Sequence, residues 1–433
     1  MDPQTAGWIS ILLLFVLLAL RVPIYLMMGV LGIAGFWVLS GSVTALKVAG
    51  LVPYTATASH DFSVMPLFVL MGHLIFHTGF TTEIYKSAKL WLGHIPGGVA
   101  QATVLAGAAF GAASASSFAA VATLGKTTIP EMTRLGVDRK IAYGVVVISA
   151  NLAQMIPPSV FMVIYGIIAE QSIGKLLVAG IIPGLIATAV YMVIIYIMVK
   201  RNPKLAPLLE ERPSWTTRLL SLKSSWGIIT IFVLVMGGIY TGAFTPTEAG
   251  AVGAFGTFII ALALRKINYV TMRETLYDTA KTTGMILLIV ATAFIFSRFL
   301  SISRLPTMLS DFMVNLDVPR IVILLGVMLM YIVLGCFLDV IAIMFITLPI
   351  ILPALEALGY DLIWMGVLMV HLIGIASITP PFGLNLFILK ATLPDSELKD
   401  IFSGIFPFFI ATVIVLAIYI AFPQLSLWLP SLM

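Results

Sequence analysis

The sequence predicts an all-α polytopic membrane protein made of two inverted repeats, each with a re-entrant helical hairpin and a broken helix. Three observations lead to this fold class: the composition, an internal repeat and the charges of the connecting loops. Of the 433 residues, 60% are hydrophobic and only 10% are charged, whereas a soluble chain carries about 25% charged residues. Apolar runs near the roughly 20 residues that span a bilayer recur along the whole chain, so a lipid bilayer is its expected environment.

The internal repeat has an offset of 223 residues, as between Pro130 and Pro353. The first copy reads I-P-E-M-T-R-L-G-V-D and the second L-P-A-L-E-A-L-G-Y-D, so Pro, Leu, Gly and Asp recur without a gap. Two Pro-Pro pairs, at 157–158 and 380–381, keep the same offset. A duplicated half in a membrane protein is typical of transporters, whose binding site lies between the halves.

Loop charges indicate that the second repeat is inverted relative to the first. The loop after the apolar segment 95–128 carries three basic residues, whereas its counterpart in the second half carries two acidic residues and no basic one. The basic residues are Arg134, Arg139 and Lys140, and the acidic residues are Glu356 and Asp361. Because basic loops favour the cytoplasmic side, equivalent loops are expected on opposite sides. The polar linker 200–223 is therefore expected in the cytoplasm and both termini outside it, with repeats at 1–199 and 224–433.

The segments 95–128 and 318–352 are each too long for one span and contain a break near the middle. A re-entrant hairpin fits this length, and two ordinary short spans are the alternative. The first centre reads G-A-A-S-A-S-S-F-A-A, and its hydroxyls belong to Ser114, Ser116 and Ser117. In the second centre Asp339 occupies the position equivalent to Ser116. A carboxylate in an apolar stretch indicates function, with cation binding, proton transfer or helix capping as its candidate roles. Small-residue packing is the alternative explanation for the serines.

The two Pro-Pro pairs lie in the middle of the next apolar segments, within Met155–Ser159 and Ser377–Gly383. Adjacent prolines remove two amide donors and clash with the preceding turn, so each segment should unwind into two half-helices. The ends of half-helices attract ions, cations at carbonyl ends and anions at amide ends; a kink without a ligand is the alternative. The candidate substrate ligands near these breaks are Asn151, Gln154, Ser159 and Asn385.

Two further polar residues lie in apolar segments. Arg298, near the end of segment 277–300, is a candidate partner for an acidic substrate, although a side chain that reaches to the membrane interface is the favoured interpretation. His371 precedes the second break and is interpreted as a packing residue.

These motifs resemble the large membrane subunit of tripartite ATP-independent periplasmic (TRAP) transporters. The similar stretches include I-P-P-S-V-F-M-V-I-Y-G, T-G-A-F-T-P-T-E-A-G, G-C-F-L-D-V-I-A and I-T-P-P-F-G-L-N-L-F, and the likeness covers essentially the whole chain. The resemblance implies uptake of a small carboxylate, such as a dicarboxylate or sialic acid, across the bacterial inner membrane by a sodium-coupled elevator mechanism. It also implies two protein partners: a small four-helix membrane subunit and a periplasmic substrate-binding protein.

The resemblance further implies a scaffold at about 1–94 and 224–317, and a moving transport domain at about 95–175 and 318–400. Sodium is the implied coupling ion, with no organic cofactor. Its implied ligands lie at the hairpin tips and Pro-Pro loops, namely Ser114, Ser116, Ser117, Pro157, Pro158, Gly335, Asp339, Thr379, Pro380 and Gly383. Ala115 departs from the family pattern, since a glycine is common between those serines.

Other function classes are less consistent with the sequence. A proton-coupled carrier of the same architecture, in which Asp339 and His371 titrate, is the main alternative. An enzyme is not expected, because no H-E-x-x-H, G-x-G-D or Walker motif appears. Paired broken helices are more consistent with the closed, alternating site of a transporter than with the open pore of a passive channel. The net charge of +5 comes from loops, so a nucleic-acid partner is not expected.

Overall fold

The computed structural model describes residues 1–20, 22–114, 117–208, 213–336, 338, 340–380 and 383–433, and over these residues it is all-helical. The side chains of Thr81, residues 112–114 and Ser224 are likewise outside the description. In chain order the helices are α1 Pro3–Ala19, α2 Ile24–Ser40, α3 Ser42–Thr57, α4 Val64–His77, α5 Phe80–Leu92, α6 Gly98–Ser114, α7 Ser117–Arg134, α8 Arg139–Met155, α9 Val160–Ile168, α10 Ile173–Ala179, α11 Ile181–Arg201, α12 Trp215–Tyr240, α13 Pro246–Ala263, α14 Tyr269–Ile302, α15 Leu305–Val314, α16 Arg320–Gly335, α17 Val340–Ala357, α18 Leu362–Ile378, α19 Leu384–Thr392, α20 Leu398–Ala421 and α21 Gln424–Leu427.

The chain is a multi-pass membrane protein by the length and composition of its helices. In the part of the chain that the structure describes, five helices are long and apolar enough to cross a membrane, and up to eight spans result if each bent pair is one span. The bent pairs are α3 with α4, α8 with α9, and the two parts of α12. These helices confirm the predicted all-α polytopic class.

The recurring Gly and Asp of the repeat are helix-end residues. Gly136 and Gly359 adopt φ values of 82° and 78°, in the left-handed region that glycine occupies without strain. They follow the ends of α7 and α17. The carboxylates of Asp138 and Asp361 then accept two backbone N–H groups each at the starts of α8 and α18, which satisfies otherwise unpaired donors. The repeat motif therefore encodes the same turn and helix cap twice.

Each long apolar segment contains the predicted central break. In the first, α6 ends at Ser114 and α7 begins at Ser117; in the second, α16 ends at Gly335 and α17 begins at Val340. The candidate ligands Ser116 and Asp339 lie outside the described residues. The entry and exit of both hairpins on one membrane side remains a prediction.

Two boundaries differ from the sequence prediction. Helix α3 was not expected, because Lys47, Pro53 and several polar residues interrupt its apolar character; it meets the α4 segment at a bend of 54°. Helix α12 begins at Trp215, within the stretch 200–223 that is expected as a cytoplasmic linker, and its two parts meet at a bend between Lys223 and Ser225. Tertiary packing therefore extends helices into stretches whose composition alone resembles loops.

Helices α8 and α20 approach each other at backbone contact distance. A Cβ atom added to Gly144 would overlap the carbonyl oxygen of Gly404, and one added to Gly404 would overlap that of Lys140. Small residues permit this close approach inside a membrane. The Lys140 ammonium also lies 3.1 Å from the Asp400 carboxylate, so an ion pair supports the same crossing. Helix α8 of the first half is thereby fixed to α20 of the second.

An ion-pair network joins α5 to the end of α7. The Glu131 carboxylate lies 2.8 Å from the Lys89 ammonium and 3.0 Å from the Arg134 guanidinium. Hydrogen bonds from Arg134 and Lys89 lower the pKa of Glu131 from 4.5 to about 2. This carboxylate is therefore more stable as an anion in the folded chain than in the unfolded chain.

Replacing Glu131 by glutamine should lower the free energy of unfolding by about 1–2 kcal/mol at pH 7, a value reduced for solvent screening. Because the folded-state pKa is the lower one, this stabilisation is present above pH 4.5 and is lost as the pH falls towards 2. Melting temperatures of wild type and variant should therefore converge on acidification. Lys89→Met should show the same pattern, and a difference that does not change with pH would contradict the assignment.

Candidate functional site

The two Pro-Pro elements interrupt helices at equivalent places. Helix α8 ends at Met155 and α9 begins at Val160, with a bend of 43° between them. Helix α18 ends at Ile378 and α19 begins at Leu384. The structure thus confirms the predicted half-helices. Two helix C-termini and two helix N-termini end near these breaks, and they carry partial negative and partial positive charge respectively.

A buried polar cluster centred on Asn151 joins the two halves. Its amide nitrogen donates to the carbonyl oxygen of Gly374 at 2.8 Å. Its side-chain oxygen accepts hydrogen bonds from the Asn385 amide at 2.7 Å and the Ser377 hydroxyl at 3.2 Å. Asn151 and Gly374 are 223 residues apart, so equivalent positions of the two repeats are in direct contact. All three polar side chains are at least nine-tenths buried.

A second contact brings the first hairpin to this cluster. The Gln154 amide nitrogen donates to the hydroxyl of Ser117, the first residue of α7, at 2.8 Å. Gln154 and Asn151 both lie next to Gly374. A Cβ atom added to Gly374 would be 3.7 Å from the Gln154 side-chain oxygen and 3.7 Å from the Asn151 amide nitrogen. Gln154 therefore connects the hairpin to the contact between the halves.

Two side-chain oxygens in this cluster, Gln154 Oε1 and Asn385 Oδ1, are buried and accept no hydrogen bond from the described residues. Such an unpaired group costs about 1–3 kcal/mol. A cation or a hydroxyl donor would satisfy these oxygens, whereas a carboxylate would not, because it carries no hydrogen. Oxygen donors suit hard cations, so the pair fits an alkali cation or a substrate hydroxyl.

Both hairpins pack directly on the helices that precede the breaks. A Cβ atom on Gly111 would lie 2.5 Å from the Cα atom of Ala153, and one on Gly335 would overlap the side chain of Ala376. Ala153 and Ala376 occupy equivalent positions of the repeat. The thiol of Cys336 also lies 3.8 Å from the Pro380 carbonyl oxygen. The described ends of the hairpin helices therefore pack against the helices that precede the two breaks.

Several predicted ligands in the loops have hydroxyls engaged in local structure. Ser159 accepts from the Met162 amide, donates to the Gln154 carbonyl and is fully buried. The Thr379 hydroxyl donates to the Ile375 carbonyl at 2.6 Å. These bonds shape the breaks and leave backbone carbonyls as the groups available to an ion.

The remaining loop positions fit close backbone packing. The Pro157–Pro158 bond is cis. A Cβ atom on Gly383 would lie 2.9 Å from the Ser377 carbonyl oxygen, so only glycine fits there without movement. Pro381 lies outside the described residues.

Among the described residues, neither Arg298 nor His371 forms a hydrogen bond to the Asn151 cluster, although His371 lines a small cavity together with Asn151 and Gln154. Arg298 is exposed on α14, and among the described residues no polar contact joins it to the cluster. His371 packs edge-on against Tyr419 with ring centroids 5.0 Å apart, and its Nε2 lies 3.0 Å from the Thr412 carbonyl oxygen. The surroundings of His371 agree with the packing role that the sequence predicts for it. The side chain of Ser114 is outside the description.

The sequence prediction omitted Ser377 from the site, although its hydroxyl binds both Asn151 and the Gly374 carbonyl oxygen. The signal was available, because Ser377 follows Gln154 by the repeat offset of 223 residues. When one copy of a repeated break carries a polar site residue, the equivalent residue of the other copy is also a candidate for the site.

A cavity of about 290 Å³ lies beside this region. Its lining includes Ser117 and Phe118 of the first hairpin and Phe161 of α9. On the opposite side it is lined by His73 of α4 and Met285 of α14. The cavity is therefore lined both by the hairpin and broken helix and by helices of the expected scaffold.

Comparisons with known proteins agree with this architecture. The sequence profile described as "Tripartite ATP-independent periplasmic transporter, DctM component" matches residues 11–425. The C4-dicarboxylate TRAP transporter large permease protein DctM of Pseudomonas aeruginosa is 34% identical and covers 93% of each chain. The sialic acid TRAP transporter large permease protein SiaM of Vibrio cholerae is 32% identical over 85% of this chain and 86% of its own.

A solved structure shares the fold. The YdaH transporter of Alcanivorax borkumensis superposes with a TM-score of 0.61, at 13% identity, over 99% of this chain and 98% of its own. At this identity the likeness concerns the fold alone. From the family match and the related permeases, the chain belongs to the DctM family of tripartite ATP-independent periplasmic transporters and is a large permease subunit, not an enzyme.

Proposed function

We propose that this chain is a sodium-coupled permease that imports a small organic acid across the bacterial inner membrane. Its proposed partners are a small four-helix membrane subunit and a periplasmic protein that delivers the substrate. Both termini are proposed to lie on the periplasmic side, from the loop charges of the sequence. The observation that carries the proposal is the buried cluster at Asn151, where two broken helices and a hairpin meet with two unpaired oxygens.

Sodium is the proposed coupling ion. The free side-chain oxygen of Gln154 lies next to the first hairpin, and the C-terminal carbonyls of α8 add partial negative charge nearby. We place the ion between the hairpin tips and Pro-Pro loops, where the implied backbone ligands are. Sodium binding would then order the loops and create the substrate pocket.

A carboxylate is the proposed substrate class. The names of the two related permeases specify C4-dicarboxylate and sialic acid, and both compounds carry a carboxylate. The N-termini of α9 and α19 face the breaks and offer backbone N–H groups, which favour anions. The amides of Asn151 and Asn385 are the proposed polar contacts for the remainder of the substrate.

An elevator movement is the proposed mechanism. The hairpins and broken helices would move as one body against a scaffold at about 1–94 and 224–317. The cavity between Phe161 and Met285 supports this division, because packing is incomplete along the proposed sliding surface. The contact of Asn151 with its equivalent Gly374 supports two halves related by a pseudo-two-fold axis, as in inverted repeats.

Uptake into proteoliposomes tests the coupling. The chain, its small subunit and the loaded binding protein should accumulate radiolabelled succinate or sialic acid when sodium is high outside. With potassium in place of sodium, uptake should fall to the level of empty vesicles. Full-rate uptake without a sodium gradient, driven by a pH gradient alone, would instead support the proton-coupled alternative.

A further inference from the structure

Two helices of the expected scaffold present a set of metal-binding side chains to each other. His73 and His77 are four residues apart on α4, and Glu274 and Asp278 are four residues apart on α14. Residues at this spacing share one face of a helix. Neither helix contributes a side chain to the Asn151 cluster, although His73 also lines the cavity beside that cluster.

The side chains are close enough to share one ion. The candidate ligand atoms of His73, His77 and Asp278 all lie within 4.8 Å of one another. His77 Nε2 is 2.9 Å from an Asp278 carboxylate oxygen. His73 Nε2 is 3.4 Å from the Thr282 hydroxyl, so both imidazoles are directed towards α14.

We propose that His73, His77 and Asp278 form a binding site for a divalent transition metal ion, with zinc as the preferred ion. Imidazole and carboxylate ligands are those that zinc takes in proteins, and three protein ligands leave one position for water. The ion would replace the proton between His77 and Asp278. It would thereby link α4 of the first half to α14 of the second.

Glu274 lies near the position where such sites place an outer carboxylate, beyond hydrogen-bond distance. The other ring nitrogen of His77, Nδ1, lies 3.6 Å from a Glu274 carboxylate oxygen. A carboxylate on the far side of a ligating imidazole fixes its tautomer and orientation and raises its basicity. His77 thus lies between two carboxylates, those of Asp278 and Glu274. A single hydrogen bond between the helices would need only one of them.

An ion can reach this site from solution. The Glu274 and Asp278 side chains are 59% and 40% exposed, whereas His77 is 12% exposed. Both acidic residues lie in the first three turns of α14, which begins at Tyr269. The site thus combines half-buried ligands with an open approach from the end of the helix.

Metal titration of the full-length chain, purified in detergent without a polyhistidine tag, tests the site. Calorimetry should show one zinc ion bound per chain, and cobalt should give the strong visible absorption of a four-coordinate nitrogen and oxygen site. Loss of an outer contact weakens metal binding by about 10- to 100-fold. His73→Ala and His77→Ala each remove a direct ligand, so each should weaken zinc binding by a larger factor. Glu274→Gln should fall within that range.

His60→Ala is the matched control, because His60 is exposed just before α4 and outside the group; it should bind zinc as wild type does. Melting temperatures without metal establish that each variant is folded. Absence of the cobalt absorption in the wild-type chain would overturn the proposal without reliance on any variant. Equal zinc affinity in wild type and His77→Ala would also overturn it.

Discussion

Replacing Asn151 by alanine should reduce sodium-driven uptake by about 10- to 100-fold. The substitution leaves the Asn385 amide, the Ser377 hydroxyl and the Gly374 carbonyl oxygen without their shared partner. Loss of one partner in a buried network costs about 1–3 kcal/mol, and 1.4 kcal/mol corresponds to a factor of ten. Uptake into proteoliposomes under a fixed sodium gradient measures the effect.

Ser149→Ala is the control for this prediction. Ser149 is buried on the same helix, but its hydroxyl donates within α8 to the Val145 carbonyl oxygen, the one hydrogen bond it makes among the described residues. Its removal should leave uptake within about two-fold of wild type, since the lost bond is local and adds little net stability. Equal uptake by the two variants would show that the cluster at Asn151 has no special role.

Replacing Gly144 by alanine should destabilise the chain by about 1–3 kcal/mol or more. The new Cβ would overlap the Gly404 carbonyl oxygen, and a backbone atom cannot rotate away as a side chain can. Helices α8 and α20 would have to separate, which also displaces the end of α8 that carries Asn151. The melting temperature in detergent should fall, and sodium-driven uptake should fall with it.

Gly237→Ala is the matched control, because a Cβ at Gly237 in α12 meets nothing within 4 Å. Alanine is favoured over glycine in a helix by about 1 kcal/mol, so this variant should be as stable as wild type or more stable. The comparison of Gly144→Ala with Gly237→Ala separates the effect of helix packing on stability from the effect of helix propensity. A melting temperature for Gly144→Ala at or above that of Gly237→Ala would contradict the close contact.

The predictable parts of this fold depend on local chemistry. Adjacent prolines end a helix regardless of what surrounds them, so both breaks could be located from sequence. The same holds for the turn at Gly136 and Asp138, whose backbone and capping needs are met within a few residues. Helix α3 could not be predicted, because its limited hydrophobicity becomes sufficient only when it packs against α2 and α14.

The partners within the site depend on tertiary structure. Nothing local to Asn151 indicates that it bonds to Gly374 rather than to a residue of its own loop. The repeat offset contains this information only once the halves are known to meet at equivalent positions. Arg298 is a simpler case, since its position near the end of segment 277–300 favours a side chain that reaches the membrane interface, and the structure exposes it on α14.

Equivalent positions of the two repeats carry different residues in the cluster. Asn151 corresponds to Gly374, and Gln154 corresponds to Ser377. Equivalent backbone positions therefore hold an asymmetric set of groups: the first half supplies the amides of Asn151 and Gln154, and the second half supplies the Ser377 hydroxyl, the Gly374 carbonyl oxygen and the Asn385 amide. On the proposed function, such an arrangement would give one composite site between the halves and not two separate copies.

Equilibrium binding of radiolabelled sodium to the purified chain tests the central claim most directly. Wild type should bind sodium saturably, and unlabelled sodium but not choline should displace the label. Gln154→Leu, which removes the unpaired oxygen and keeps a similar volume, should weaken binding by about ten-fold, the loss of one good ligand contact, while Ser149→Ala binds as wild type. Absence of saturable sodium binding to wild type, or equal binding by Gln154→Leu, would contradict a sodium site at this cluster.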